Sequence, residues 1–362
     1  MRLVYDNIVF AVQRVGGISV VWQELLDRIQ KKAEVELKYI DVDCHQVDNY
    51  SRNQLDIATE DVVKTIHHPK WERYLPVRYE ADDPFLFHSS YYRHCPNPQA
   101  INITTVHDFT YELFVKGIKQ KVHSWQKFSA IRKSAAIVCI SENTKRDLLR
   151  LVPDVDERKV KVIYNGVSEA FMTLHEEASA ADLPFPERTY VIFIGRRDGY
   201  KNFEMTVEGV AATSLNLLVV GGKLTEEERV NTEKILPPHR YRCVSSISNE
   251  RLNQLYNHAA ALVYPSSYEG FGLPVLEAQK AGCPVIAYNA SSIPEVIGNT
   301  PLLMKELGAT EMVEKLHLLG DADLMKRVRA EGFTNAQRFS WQKMADDYHA
   351  LYQNVWQDFR SR

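Results

Sequence analysis

The 362-residue chain has little cysteine and no apolar run long enough to cross a bilayer. Its five cysteines, Cys44, Cys95, Cys139, Cys243 and Cys283, stand far apart with no C-x-x-C pair. That excludes a disulfide framework and a zinc knuckle, and it fits a reducing cytosol. No stretch approaches ~18 uncharged apolar residues, and the amino terminus reaches Asp6 before a signal-length apolar segment can form. An excess of one charge is lacking too. The 44 Lys and Arg nearly balance the 47 Asp and Glu, for a net charge of −3, and both halves share the balance, so neither has the basic footprint of a nucleic-acid binder. A G-x-S-x-G elbow, a phosphate-loop lysine motif and an H-E-x-x-H helix are absent. The expectation is a cytoplasmic protein, free or at the inner face of a membrane.

What is present is strand-helix alternation, and it occurs twice. Length alone favours two domains. In the first half, 2–5, 34–40, 85–88, 101–106, 136–140 and 160–164 read as strands, with helices at 19–32 and 142–151. A second series has strands at 190–194, 216–220, 241–244, 261–264 and 284–287 and helices near 202–212, 226–235, 249–259 and 274–281; a last helix spans 341–359. No short sequence repeat accompanies this doubled architecture. The predicted fold class is α/β, two tandem Rossmann-like doubly wound domains facing a cleft: 1–170, a linker at 171–188 rich in helix breakers, 189–340, and a carboxyl-terminal helix at 341–362.

Three loops have the composition of a diphosphate site. In Val15-Gly-Gly-Ile18, Gly16 and Gly17 precede a helix, where close backbone approach and free amides favour an anion; a plain tight turn has the same sequence. In Phe193-Ile-Gly-Arg-Arg-Asp-Gly-Tyr-Lys-Asn202, a strand delivers Arg196, Arg197 and Lys201 to a loop. A fixed guanidinium and a mobile ammonium together suit two linked phosphates, while ordinary surface charge explains any one of them. In Pro265-Ser-Ser-Tyr-Glu-Gly-Phe-Gly-Leu-Pro-Val-Leu-Glu277, Glu269 and Glu277 flank a glycine turn made by Gly270, Phe271, Gly272 and Leu273, with Pro274 fitting the first turn of a helix. A carboxylate there can accept bonds from two ribose hydroxyls, or simply favour the helix dipole.

Glu269 and Glu277, with seven residues between them including Gly270-Phe-Gly-Leu-Pro274, resemble the glutamate-pair motif of family-four glycosyltransferases, retaining enzymes of the GT-B fold. Gly16-Gly17, Thr105-Val-His-Asp108, Cys139-Ile-Ser-Glu-Asn-Thr144, Val162-Ile-Tyr-Asn-Gly166, Ile194-Gly-Arg196 with Lys201, and Ser291-Ser-Ile-Pro-Glu295 follow that family's pattern in order. The resemblance implies that Arg196 and Lys201 bind the donor diphosphate, Glu277 the donor ribose, and Glu269 the transferred sugar. It also implies that the loop at Gly16 and Gly17 closes over the phosphates, that His107 lines the sugar and acceptor side, and that residues 244–248 meet the base. Arg197 departs from the pattern, standing where the family often has an apolar residue. The implied reaction moves a hexose, GDP-mannose being preferred over a UDP-sugar as donor, to a glycan or lipid-linked acceptor with retention. It implies no cofactor and no metal. A nucleotide-sugar-binding or scaffolding subunit without turnover, or a nucleotide-sugar epimerase, would share the fold.

Other features compete. Asp41-Val-Asp43 and Asp154-Val-Asp156 have the Asp-x-Asp spacing that holds a divalent metal on a donor diphosphate in the other large glycosyltransferase fold. His107-Asp108 is equally the pattern of a buried structural histidine, and His67-His68 beside Pro69 reads as loop surface. Residues 115–134 carry Lys116, Lys119, Lys121, Lys127, Arg132 and Lys133 with no acid, while Val115, Ile118, Val122, Trp125, Phe128 and Ile131 recur at helical spacing. This segment is either a peripheral contact with an anionic membrane or a helix burying that stripe on its own domain with its lysines in solvent.

Overall fold

A computed structural model describes the chain except for residues 15, 33, 43–47, 66–71, 175–181, 198 and 362. It divides into two compact units, Met1–Gly166 with Ser340–Arg362, and Val167–Phe339. In the first, among the described residues, the strands are β1 (Arg2–Asp6), β2 (Glu36–Val42), β3 (Val62–Thr65), β4 (Phe85–Ser89), β5 (Ala100–Val106), β6 (Ala136–Cys139) and β7 (Val160–Val162). They pair in parallel in the order β3-β2-β1-β4-β5-β6-β7. Helices cover both faces of such a sheet, so its central strands are uniformly apolar; Phe85, Leu86, Phe87, Ile137, Val138 and Cys139 are buried accordingly. β3 escapes a reading by pattern because it is a short edge strand whose middle residues, Val63 and Lys64, are exposed.

The helix Trp341–Arg360 belongs to this first unit. It is held by a buried chain of hydroxyls and one imidazole. Tyr5 Oη donates to Tyr352 Oη at 3.2 Å, which meets His88 Nδ1 at 2.7 Å; His88 Nε2 meets Thr105 Oγ1 at 2.9 Å, and Thr105 Oγ1 meets Tyr348 Oη at 2.9 Å. Burial pushes His88 down to about 3, with His107 adding to the effect, so the ring is neutral, with one nitrogen to donate and one to accept. Where the chain enters this helix, a Cβ on Gly166 would fall 2.1 Å from the Trp341 backbone nitrogen. Only glycine allows that approach.

In the second unit, among the described residues, β8 (Tyr190–Ile194), β9 (Asn216–Val220), β10 (Tyr241–Val244), β11 (Ala261–Tyr264), β12 (Val285–Tyr288) and β13 (Leu303–Met304) form a parallel sheet in the order β10-β9-β8-β11-β12-β13. Val191, Phe193, Leu217, Val219, Val263 and Ile286 are buried in one core with Phe203, Val207, Met312 and Leu316 from the covering helices. The two-residue β13 is too short to leave a period in the sequence. Of the breaker-rich segment 171–188, residues 175–181 lie outside the described residues, and the rest is tied to the second unit. Phe171 is buried near Tyr256, and the backbone amides of Met172 and Leu174 donate to Asn253 and Asn257.

Strand order reverses between β1 and β4 and between β8 and β11, the points at which open parallel sheets leave a crevice beyond their carboxyl ends. At the first reversal Asp6, the last residue of β1, accepts from Arg93 Nη1 at 3.1 Å and from Ser89 Oγ at 2.6 Å, and Arg93 Nη2 donates to Glu72 at 3.1 Å. All are buried. Burial raises the Asp6 carboxyl despite the pull of Arg93, so the guanidinium offsets a cost that would otherwise stand alone. Arg93→Met is expected to lower stability by about 3–5 kcal/mol, because it strands two buried carboxylates. A denaturant midpoint unchanged from that of the parent chain would show that the cluster carries no structural weight.

Candidate functional site

The reversal between β8 and β11 brings together the loops that follow those strands. After β8 the chain runs through Gly195, Arg196 and Arg197 to the short turn Gly199–Lys201. After β11 it runs from Pro265 to Gly272, which starts the helix Leu273–Lys280. Asn202 ties the loops: its Nδ2 donates to Pro265 O at 2.7 Å and to Ser267 Oγ at 2.9 Å, while Ser267 N donates to Tyr200 O at 2.7 Å. Ser291 and Ser292 brace the second loop from behind. Ser291 Oγ accepts from Glu269 N at 2.8 Å, and Ser292 Oγ donates to Glu269 O and Phe271 O, both at 2.9 Å. Buried Phe271 packs edge-on against Phe339. Gly272 has φ +107°, a conformation that disfavours any side chain, and a Cβ there would meet Ile293 Cδ1 at 3.0 Å.

Across these tied loops Lys201 Nζ donates to Glu269 Oε1 in a largely buried ion pair. The ammonium also lies 5.3 Å from the ring centre of Tyr264 and 5.4 Å from that of Tyr200, a placement that favours a cation. Burial, together with the charge of Glu269, raises the Tyr264 hydroxyl well above its usual range. Lys201 and Glu269 are therefore one electrostatic unit. Glu277 sits just beyond the first turn of its helix, half-buried, and burial pushes its carboxyl up to about 7. Arg196 is exposed. Arg197 turns elsewhere: its Nε pairs with Glu228 at 2.9 Å, and its Nη atoms donate to Gly222 O at 3.1 Å and Lys223 O at 2.8 Å. It pins the loop after β9 to the loop after β8.

Gly16, Gly17 and His107 belong to the first unit. Gly16 is extended (φ 177°, ψ 158°) and precedes the helix Gly17–Ile29, whose first residue is exposed; Val15 lies outside the described residues. His107 follows β5 and is buried, which pushes it down to about 4; Asp108 opposes the shift and Lys127 adds to it. A neutral imidazole results. The loop bearing His107 is clamped by Lys127, a fully buried cation whose Nζ donates to Asp108 O at 2.9 Å and to Glu112 Oε2 at 2.6 Å.

Lys127, one of the lysines expected in solvent, is instead buried and sets the orientation of its helix, Ile118–Lys133. The buried side holds His123, Ser124, Gln126 and Lys127, whereas Ile118, Val122 and Trp125 are exposed. Of the apolar stripe, Ile131 is buried, Val115 and Phe128 are half-buried, and Ile118, Val122 and Trp125 are left outside. The lysine's counterion lies 15 residues upstream, across a turn, so nothing in helical spacing discloses it.

The Asp-x-Asp residues are otherwise engaged or unseen. Asp41 pairs with Arg52 at 2.8 Å and accepts from Asn7 at 2.8 Å, beside a polar cavity of about 690 Å³. Asp154 pairs with Arg132 and Asp156 with Arg158. Asp43, His67 and His68 lie outside the described residues.

The family model for glycosyl transferases group 1 matches residues 175–321, and that for Glycosyltransferase Family 4 matches residues 15–171. Among curated relatives, O-antigen chain mannosyltransferase B of Escherichia coli is 30% identical over 162 residues, 42% of each chain. O-antigen chain mannosyltransferase RfbU of Salmonella typhimurium is 28% identical over 204 residues, 55% of each chain. The match thus spans about half or less of those relatives' lengths. Among solved structures, sucrose-phosphate synthase from Thermosynechococcus elongatus aligns with TM-score 0.75 at 18% identity, covering 99% of this chain and 100% of that one. Anabaena HepE in complex with UDP and glucose aligns with TM-score 0.75 at 14% identity, covering 98% and 100%. These two neighbours establish the GT-B fold.

The raised Glu277 carboxyl has a measurable consequence. A folded-state value above the unfolded one favours the fold fully below the ordinary glutamate range, and that contribution is lost as pH rises through about 7. Glu277→Gln is therefore expected to gain stability over the parent between pH 5 and 8, by roughly 1–3 kcal/mol at the alkaline end. Parallel thermal unfolding curves for the two proteins across that range would contradict the shift.

Proposed function

The chain belongs to the group 1 glycosyltransferases, with an amino-terminal half of the family-four kind, and we propose that it moves a hexose from a nucleoside-diphosphate sugar to a glycan or lipid-linked acceptor with retention at the anomeric carbon. The observation that carries this reading is the Lys201–Glu269 pair beside the glycine turn at a reversal of strand order. An ammonium has three N–H donors, so one can stay on Glu269 while another reaches a phosphate oxygen.

As the sugar-phosphate bond breaks, negative charge grows on the departing diphosphate, and stabilising it is the largest effect available to the protein. Lys201 and Arg196 fill that role. Glu277, which ionises around pH 7, accepts the two ribose hydroxyls. Glu269 contacts the transferred sugar while orienting Lys201. The acceptor oxygen bonds to the anomeric carbon on the face the diphosphate leaves, and its proton passes to the departing phosphate oxygen, so no protein nucleophile and no metal is needed. The names of the O-antigen mannosyltransferase relatives favour mannose as the hexose and surface-polysaccharide assembly as the setting, which keeps GDP-mannose the preferred donor. The UDP in the HepE structure keeps a UDP-sugar as the second candidate.

Lys201→Ala is expected to lower kcat by about a hundredfold, a barrier increase of roughly 3 kcal/mol. Near-parental turnover by this variant would remove Lys201 from the reaction. Glu277→Ala should chiefly raise the donor KM, whereas Glu269→Ala should chiefly lower kcat; steady-state kinetics in the presence of excess chelator, with the product anomer read by NMR, separate these outcomes. Matching defects in the two glutamate variants would end the division of roles, and an inverted product would end the retaining mechanism. A screen of nucleotide sugars by thermal shift identifies the donor, since saturation to 100 times Kd stabilises by about 2.7 kcal/mol.

A further inference from the structure

We infer that the helices Thr110–Phe114 and Ile118–Lys133 present a docking surface for an anionic lipid bilayer. Their outward residues include large apolar ones: Leu113 and Phe114 at the end of the first helix, then Ile118, Val122 and Trp125 along the second, with Ile118 81% and Trp125 69% exposed. The second group falls at i, i+4 and i+7, one stripe of a helix. A helix in a soluble fold normally turns that stripe inward; here it is turned outward and fixed there. The Tyr111 ring stacks on His123 with centroids 4.0 Å apart, Ser124 Oγ donates to Glu112 at 2.8 Å, and Lys127 is fully buried on the same carboxylate. Rotating the helix to bury Trp125 would expose or unpair those groups.

Charge decides the occupant. Lys116, Lys119 and Lys121 are exposed among the apolar residues and make no ion pair among the described residues. Residues 113–134 contain no Asp or Glu, and the neighbouring acid, Glu112, is taken by Lys127. A two-fold pairing of copies through this patch would set lysines against lysines. A bilayer with acidic headgroups instead accepts both parts: lysine stems lie along apolar surface with their ammonium groups among phosphates, and tryptophan is favoured at the interfacial depth. The surface suits a lipid-linked acceptor, but the inference stands on the first unit alone and not on the reading of donor or chemistry.

The purified full chain, floated with phosphatidylcholine vesicles with and without phosphatidylglycerol, is expected to rise only with the anionic ones. Each lysine lost should lower partitioning about fivefold, so the triple variant K116Q/K119Q/K121Q should bind about a hundredfold more weakly. The variant I118S/W125S should not float, and added salt should weaken parental binding. Circular dichroism and the thermal shift with GDP or UDP should be parental in both variants, which separates lost docking from lost fold. The inference is overturned by equal flotation on neutral vesicles, by undiminished flotation of the lysine variant, or by no flotation at all. It is also overturned by light scattering that shows a dimer which I118S/W125S dissociates. Vesicle binding without any nucleotide response would instead count against the proposed transferase chemistry and leave the docking surface intact.

Discussion

The ion pair between Lys201 and Glu269 is the constraint on which the second unit's site depends. Two opposite charges withdrawn from water are tolerated only when paired and further hydrogen-bonded, and every surrounding feature serves that condition. Asn202 joins the two loops, Ser291 and Ser292 fix the backbone on either side of Glu269, and Tyr200 and Tyr264 place π faces beside the ammonium. Preorganisation of this kind leaves little freedom for the two loops to reorient around the pair. It also means that Lys201 and Glu269 do not contribute independently, and substitutions at the two positions are expected to be non-additive.

The same rule organises the first unit. Arg93 bridges Asp6 and Glu72, and Lys127 answers Glu112. His88 is kept neutral so that it can join the hydroxyls holding the last helix to the sheet. Each cluster lies at or beside the carboxyl ends of strands, where loop backbone and polar side chains crowd together and burial without partners would be expensive. Apolar packing builds the sheets, and paired polar groups set the conformation of the loops between them.

This division explains what was legible in the sequence. Tyr190–Ile194, Asn216–Val220 and Ala261–Tyr264 read correctly as strands because central strands of a covered parallel sheet are continuous apolar runs. The edge strands Val160–Val162 and Tyr241–Val244 still carry enough β-branched and apolar residues to be read, but Val62–Thr65, with its exposed middle, and the two-residue Leu303–Met304 leave no usable trace. The glycine turn and its two glutamates were visible as a motif, but the contact of Lys201 with Glu269, 68 residues apart, exists only once the strand order is known. The helix Ile118–Lys133 left two readings open for a different reason. Its apolar period is real, yet a period identifies a face and not the direction in which that face points; the buried Lys127–Glu112 pair sets the direction.

Arg196 and Arg197 show the same limit at the scale of adjacent residues. By composition they are interchangeable, and either could serve a diphosphate. The fold separates them. Arg197 is spent on Glu228 and on the carbonyls of Gly222 and Lys223, so its guanidinium couples the loop after β8 to the loop after β9. A planar fork with five donors suits that task, since it satisfies a carboxylate and two carbonyls at once where a lysine would offer a single point charge. The doubled arginine is then a division of labour, with Arg197 fixing the shape of the loop that carries Arg196, and an apolar residue at 197 would need some other contact to hold the loop after β9 in place.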